Sequence, residues 1–107
     1  MIEVTYHKRY NRLTVKGHAG SAPVGEDLVC SAASILALTL ERNIKQLKAQ
    51  GVIRNFDIHI SEGDAELTCT PVSKYANMVM LMFQSTVTGF QILAEKFPDY
   101  ISLKIFL

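Results

Sequence analysis

A histidine and a cysteine lie twelve positions apart, His18 and Cys30, in the stretch Lys16-Gly17-His18-Ala19-Gly20-Ser21-Ala22-Pro23-Val24-Gly25-Glu26-Asp27-Leu28-Val29-Cys30-Ser31-Ala32-Ala33-Ser34. A thiol and an imidazole are the minimum equipment for covalent acyl transfer. The thiolate attacks a carbonyl, and the imidazolium returns its proton to the departing amine. The stretch reads as the end of a strand, a Gly-rich loop and the start of a helix, so His18 leaves one element as Cys30 enters the next. With the helix taken to begin at Asp27, Cys30 falls in its first turn, facing unpaired amides and the positive end of the helix dipole. Both favour thiolate over thiol, and the same amides are candidate oxyanion donors.

Neighbouring residues have defined parts in this reading. Gly17 permits an unusual backbone angle or a close approach beside His18. Gly20, Ser21, Pro23 and Gly25 make a loop able to open and close over a substrate. Asp27 serves either as the helix N-cap or as a third group orienting His18, and cap position and spacing favour the first. Ser34, one helical turn after Cys30, shares its face and can hydrogen-bond near the thiol, or merely bond back to its own helix. The bland alternative for Cys30 is a small core residue. Cys69 falls on the apolar face of a strand and reads as inert packing. His7 and His59 fall on polar strand faces and read as solvated. Three or four ligands at recurrent spacings are absent around His18, Cys30 and Cys69, so neither a metal nor another cofactor is expected.

The elements that position these groups follow from periodicity. Ile2, Val4 and Tyr6 alternate with polar residues, Lys8 to Arg12 make a polar turn, and Leu13 and Val15 resume the alternation: a hairpin. A helix from Asp27 to about Gln50 is apolar nearly all round in its first half, which predicts burial. Its second half is amphipathic, and Gly51 ends it. A second hairpin pairs Phe56, Ile58 and Ile60 with Leu67 and Cys69 through Ser61-Glu62-Gly63-Asp64, and Pro71 stops it. A second helix covers about Ser73 to Phe97, ended by Pro98. Ile101, Leu103 and Ile105 form a last strand. The order is ββαββαβ, an α+β layered domain over residues 1–107 with two long helices on a mostly antiparallel sheet.

Composition narrows the function classes. Eleven basic residues against ten acidic leave a formal charge of +1, with no basic run, which disfavours nucleic acid as a direct partner. Tyr75 to Ala94 carry no charge, but Asn77, Gln84, Thr88 and Gln91 argue against a membrane span and for a helix buried on most sides. The Met78, Met80 and Met82 series likewise reads as burial. Nothing at the start resembles a signal peptide, so the expectation is a cytoplasmic protein with reduced thiols.

The Gly17-His18-Ala19 step, the short Gly-containing loop and Asp27-Leu28-Val29-Cys30-Ser31-Ala32-Ala33-Ser34 resemble the signature of the ribosomal-processing cysteine proteases called Prp. Element order and size agree over the whole chain. The loop here, Ser21-Ala22-Pro23-Val24, is less polar than those of the family. The resemblance implies Cys30 as nucleophile and His18 as base, with Gly17, Asp27 and Ser34 in support. It also implies a homodimer that removes a short N-terminal extension from a large-subunit ribosomal protein, number twenty-seven, after an aromatic pair. Two rival classes are a non-catalytic ribosome-associated binding module, with the helix start holding an anionic or peptide group, and a different thiol enzyme such as a small acyltransferase.

Overall fold

The structure, a computed structural model, describes residues 1–18 and 24–107, those at 24–27 by their backbone alone. Strands β1 (Ile2–His7) and β2 (Arg12–Lys16) are followed by helix α1 (Val24–Ala49), strands β3 (Ile53–Ser61) and β4 (Asp64–Pro71), helix α2 (Ala76–Lys96) and strand β5 (Ile101–Phe106). The strands form one sheet in the order β3-β4-β2-β1-β5. Every pairing is antiparallel except β1 with β5, which the crossover through α2 makes parallel. The expected α+β class and element order therefore hold.

Alternation decides which sheet face is covered. Ile2, Val4 and Tyr6, Leu13, Ala65, Leu67 and Cys69, and Ile101 are all buried on the helix side. Phe56, Ile58 and Ile60 pair with Cys69, Leu67 and Ala65 as the shared apolar face required. The helices meet them with stripes at helical spacing: Val29, Ala33, Leu40 and Ile44 from α1, and Val79, Phe83, Val87 and Phe90 from α2. On the open face of the sheet, Arg12, Lys16, Asp64 and Glu66 form ion pairs, the shortest being Lys16 Nζ to Glu66 Oε1 at 2.9 Å.

Four expectations change. α1 starts at Val24, not Asp27. A good capping residue does not by itself set a boundary, and Pro23 in the sequence just ahead is compatible with the earlier start, because proline is excluded only from a helix interior. The first half of α1 is not buried all round: Ile35 is 61% exposed, and Leu28 and Leu38 also face outward. α2 likewise turns Met78, Leu81 and Ile92 outward, because one sheet covers only one side of each helix. His7 is half-buried and stacks on Phe106, with ring centroids 5.0 Å apart. Among the described residues no helix is long and apolar enough to cross a membrane.

Candidate active site

Where β2 ends, the β2–β4 ladder runs on by one rung: the Gly17 amide donates to the Gly63 carbonyl at 3.0 Å. Gly17 sits at φ +115°, and a Cβ there would overlap the Met1 carbonyl oxygen, so only glycine fits. The Met1 ammonium in turn donates to the His18 carbonyl at 3.3 Å. His18 is thus held on both sides by backbone contacts, with its side chain exposed.

A cleft of about 310 Å³ opens beside it. His18 and Cys30 both line it, together with Gly17 and Ser34. Cys30 is half-buried and is a free thiol, with its inner side against the core. Ile2, Val15, Ala33, Ala37, Leu38 and Ile60 give the cleft an apolar wall, and Ser61, Glu62 and Asp64 bring polar groups to its other side. Four of the residues singled out from sequence therefore share one concavity. The side chain of Asp27 lies outside the described residues, as do Gly20, Ser21 and Pro23 of the loop. Gly25, counted with that loop, is instead the second residue of α1.

The earlier start of α1 changes the chemistry expected at Cys30. It is the seventh residue of the helix, beyond the four amides that a helix leaves unpaired. Neither thiolate stabilisation by those amides nor an oxyanion hole built from its own N–H follows from that position. His18 shares the cleft with the thiol, as do Glu62 and Asp64. Cys69 behaves as expected: it is buried, and burial pushes its thiol up to about 11. Glu66 is held below its ordinary value by the hydrogen bond and charge of Lys16, whose own value rises in turn. Among the described residues no three potential metal ligands come together.

The sequence reading missed the tip of the β3–β4 hairpin, where Glu62, Gly63 and Asp64 join the cleft. The register carries the signal: Lys16 opposite Asp64 puts Gly17 and His18 at the hairpin turn.

The sequence model of the family described as cysteine protease Prp matches residues 1–102. The chain belongs to the Prp family of cysteine proteases. It is thus an enzyme of the thiol-protease class. Solved structures carry the same fold. SMU.848 from Streptococcus mutans aligns at 26% identity and a TM-score of 0.70, covering 99% of this chain and 94% of that one. The ribosomal processing protease Prp from S. aureus, in complex with a covalently linked product peptide, aligns at 21% identity and a TM-score of 0.73, covering 98% and 99%. The same S. aureus protease with a substrate peptide aligns at 18% and 0.71, covering 97% and 96%. At such identities the two S. aureus structures establish the Prp fold. A search of curated protein sequences finds no match to this Prp-family chain.

Proposed function

We propose that this Prp-family protease, acting as one domain over residues 1–107, processes a ribosomal protein precursor with Cys30 as nucleophile and His18 as its base. The observation that carries the reading is the convergence of His18 and Cys30, from separate elements, on one cleft with an apolar wall. The S. aureus protein of the same fold is a ribosomal processing protease that has been captured with a covalently linked product peptide.

The chemistry is acyl transfer. His18 takes the thiol proton, and the Cys30 thiolate adds to the scissile carbonyl. As the tetrahedral adduct collapses, the C–N bond breaks and the imidazolium protonates the leaving amine. A thioester remains, which water hydrolyses with His18 as general base. The apolar wall receives the aromatic side chain preceding the cut, and Ser34 supports the thiol from the next turn of α1. The substrate is the N-terminal extension of large-subunit ribosomal protein twenty-seven, encountered in the cytoplasm.

The enzyme acts as a homodimer in this proposal. The outward apolar residues of α1 and α2, including Ile35 and Leu81, each 61% exposed, suit a self-complementary interface. The protein itself, incubated with a peptide spanning the extension and followed by mass spectrometry beside Cys30→Ala, tests the activity. A single cut after the aromatic pair that vanishes in Cys30→Ala is expected. No cut by the folded protein would reject the substrate assignment, and a cut that survives in Cys30→Ala would reject the nucleophile. Sedimentation of the same sample tests the dimer.

A further inference from the structure

The tip of the β3–β4 hairpin takes no part in the bond-making of the dyad, yet the base rests on it. Gly63 sits at φ +73°, and a Cβ built there would land on Nε2 and Cε1 of the His18 imidazole and 3.0 Å from its Cδ2. The 3.0 Å bond from the Gly17 amide to the Gly63 carbonyl ties the hairpin tip to the residue just before His18. That bond opposes separation of the two backbones, whereas the imidazole, as the end of a side chain, is the part that yields.

We infer that Gly63 is a positioning residue for the base: its bare Cα is the surface against which the His18 imidazole is set toward the cleft. This rests on the assignment of His18 and Cys30 made above. Because the imidazole is the free end of a flexible side chain, a methyl at Gly63 swings it aside without dismantling the sheet. A misplacement of about 1 Å in a catalytic group costs on the order of 100-fold in rate.

Gly51 supplies the control. It has nearly the same backbone angle, φ +79°, at the end of α1, but a Cβ there meets no atom within 4 Å. Gly51→Ala thus carries the left-handed strain alone, whereas Gly63→Ala carries the strain and the displaced ring.

The test measures kcat and KM for peptide cleavage, with Tm and the His18 Cε1–H NMR signal, in wild type, Gly63→Ala, Gly51→Ala and His18→Ala. Expected for Gly63→Ala is a fall in kcat of about 100-fold, with little change in KM and a shifted His18 signal. Gly51→Ala should lose comparable Tm but keep kcat and the signal. Wild-type kcat in Gly63→Ala while His18→Ala is inactive would overturn the positioning role and leave the dyad standing. Full turnover in His18→Ala would remove the dyad, and the positioning role with it. Should Gly63→Ala fail to fold, the wild-type protein decides: a nuclear Overhauser contact between the Gly63 Hα and the His18 ring protons is expected, and its absence overturns the inference.

Discussion

The Gly17 amide donates to the Gly63 carbonyl at 3.0 Å, extending the β2–β4 ladder one rung beyond the Lys16–Asp64 pair. Strand pairing couples segments far apart in sequence through a regular ladder of backbone hydrogen bonds. Here it fixes where the chain stops being sheet and His18 begins. Cys30 is placed independently, by the packing of α1 over the same sheet. The cleft is thus the gap between a strand end and a helix flank.

If His18 serves Cys30, the two act as a unit and their losses do not add. Cys30→Ala and Cys30→Ser should each abolish peptide cleavage with the fold intact. His18→Ala should lower kcat by about 10²- to 10⁴-fold, the usual worth of general acid–base catalysis, with little change in KM. The double variant should be no worse than Cys30→Ala. Steady-state kinetics on the extension peptide check all three. Retained turnover in either cysteine variant would reject the nucleophile assignment, and unchanged turnover in His18→Ala would reject the base.

The two thiols should separate by reactivity. Cys69 is buried, and its thiol is pushed up to about 11 by loss of hydration, so it presents almost no thiolate at neutral pH. Cys30 is half-buried at the cleft wall. Iodoacetamide on the folded protein should add one label, at Cys30, and the second only in denaturant. Peptide mapping by mass spectrometry reads this directly. Equal labelling of both cysteines under native conditions would contradict the burial of Cys69.

Much of this arrangement was legible in the residues. Period-two alternation in Ile2-Val4-Tyr6 and Phe56-Ile58-Ile60, with Gly51, Pro71 and Pro98 as punctuation, suffices for the element order. His18, Cys30, Gly17 and Ser34 stand out by residue type and spacing, and they share one cleft. Asp27 is a good cap in isolation and so predicts a start there, whereas α1 begins three residues earlier, at Val24. Exposure of Ile35 and Leu81 was illegible because apolar periodicity says that a helix can be covered, not how many layers cover it. Gly63 was accounted for as a turn residue by its hairpin alone. Nothing local in the sequence shows that its missing side chain also makes room for a ring attached to β2.

On the open face of the sheet, Lys16 Nζ lies 2.9 Å from Glu66 Oε1. The hydrogen bond to Lys16, and then its charge, hold Glu66 below 4.5. A carboxylate lowered on folding contributes stability that is present above its unfolded value and lost as pH falls through its folded one. Lys16, raised above 10.5 chiefly by the same hydrogen bond, contributes stability that is present below that value and lost as pH rises through its folded one. The pair is solvent-exposed, so the effect is small and screened by salt. Thermal melts of wild type and Glu66→Gln should differ slightly at neutral pH and converge well below pH 4.5. A gap of undiminished size at pH values where carboxylates are protonated would show that the substitution acts through packing instead.

Tyr6 offers a substitution expected to help. The residue is 2% exposed, and its ring stacks on Phe83, with centroids 6.4 Å apart and planes 15° from parallel. Its hydroxyl is buried with no hydrogen-bond partner among the described residues. A buried polar group left unpaired costs about 1–3 kcal/mol. Tyr6→Phe keeps the stacked ring and the apolar contacts while removing the orphaned group. It should therefore raise stability in urea by about 1 kcal/mol, with the slope of the transition unchanged. The pH dependence gives a second check. Burial raises the Tyr6 phenol above 10.0, so this group's stability is present below its unfolded value and lost as pH rises through its folded one. That alkaline loss should disappear in Tyr6→Phe. A variant destabilised by a kilocalorie or more would mean that the hydroxyl has a partner, an internal water being the simplest, and that its bond outweighs its desolvation.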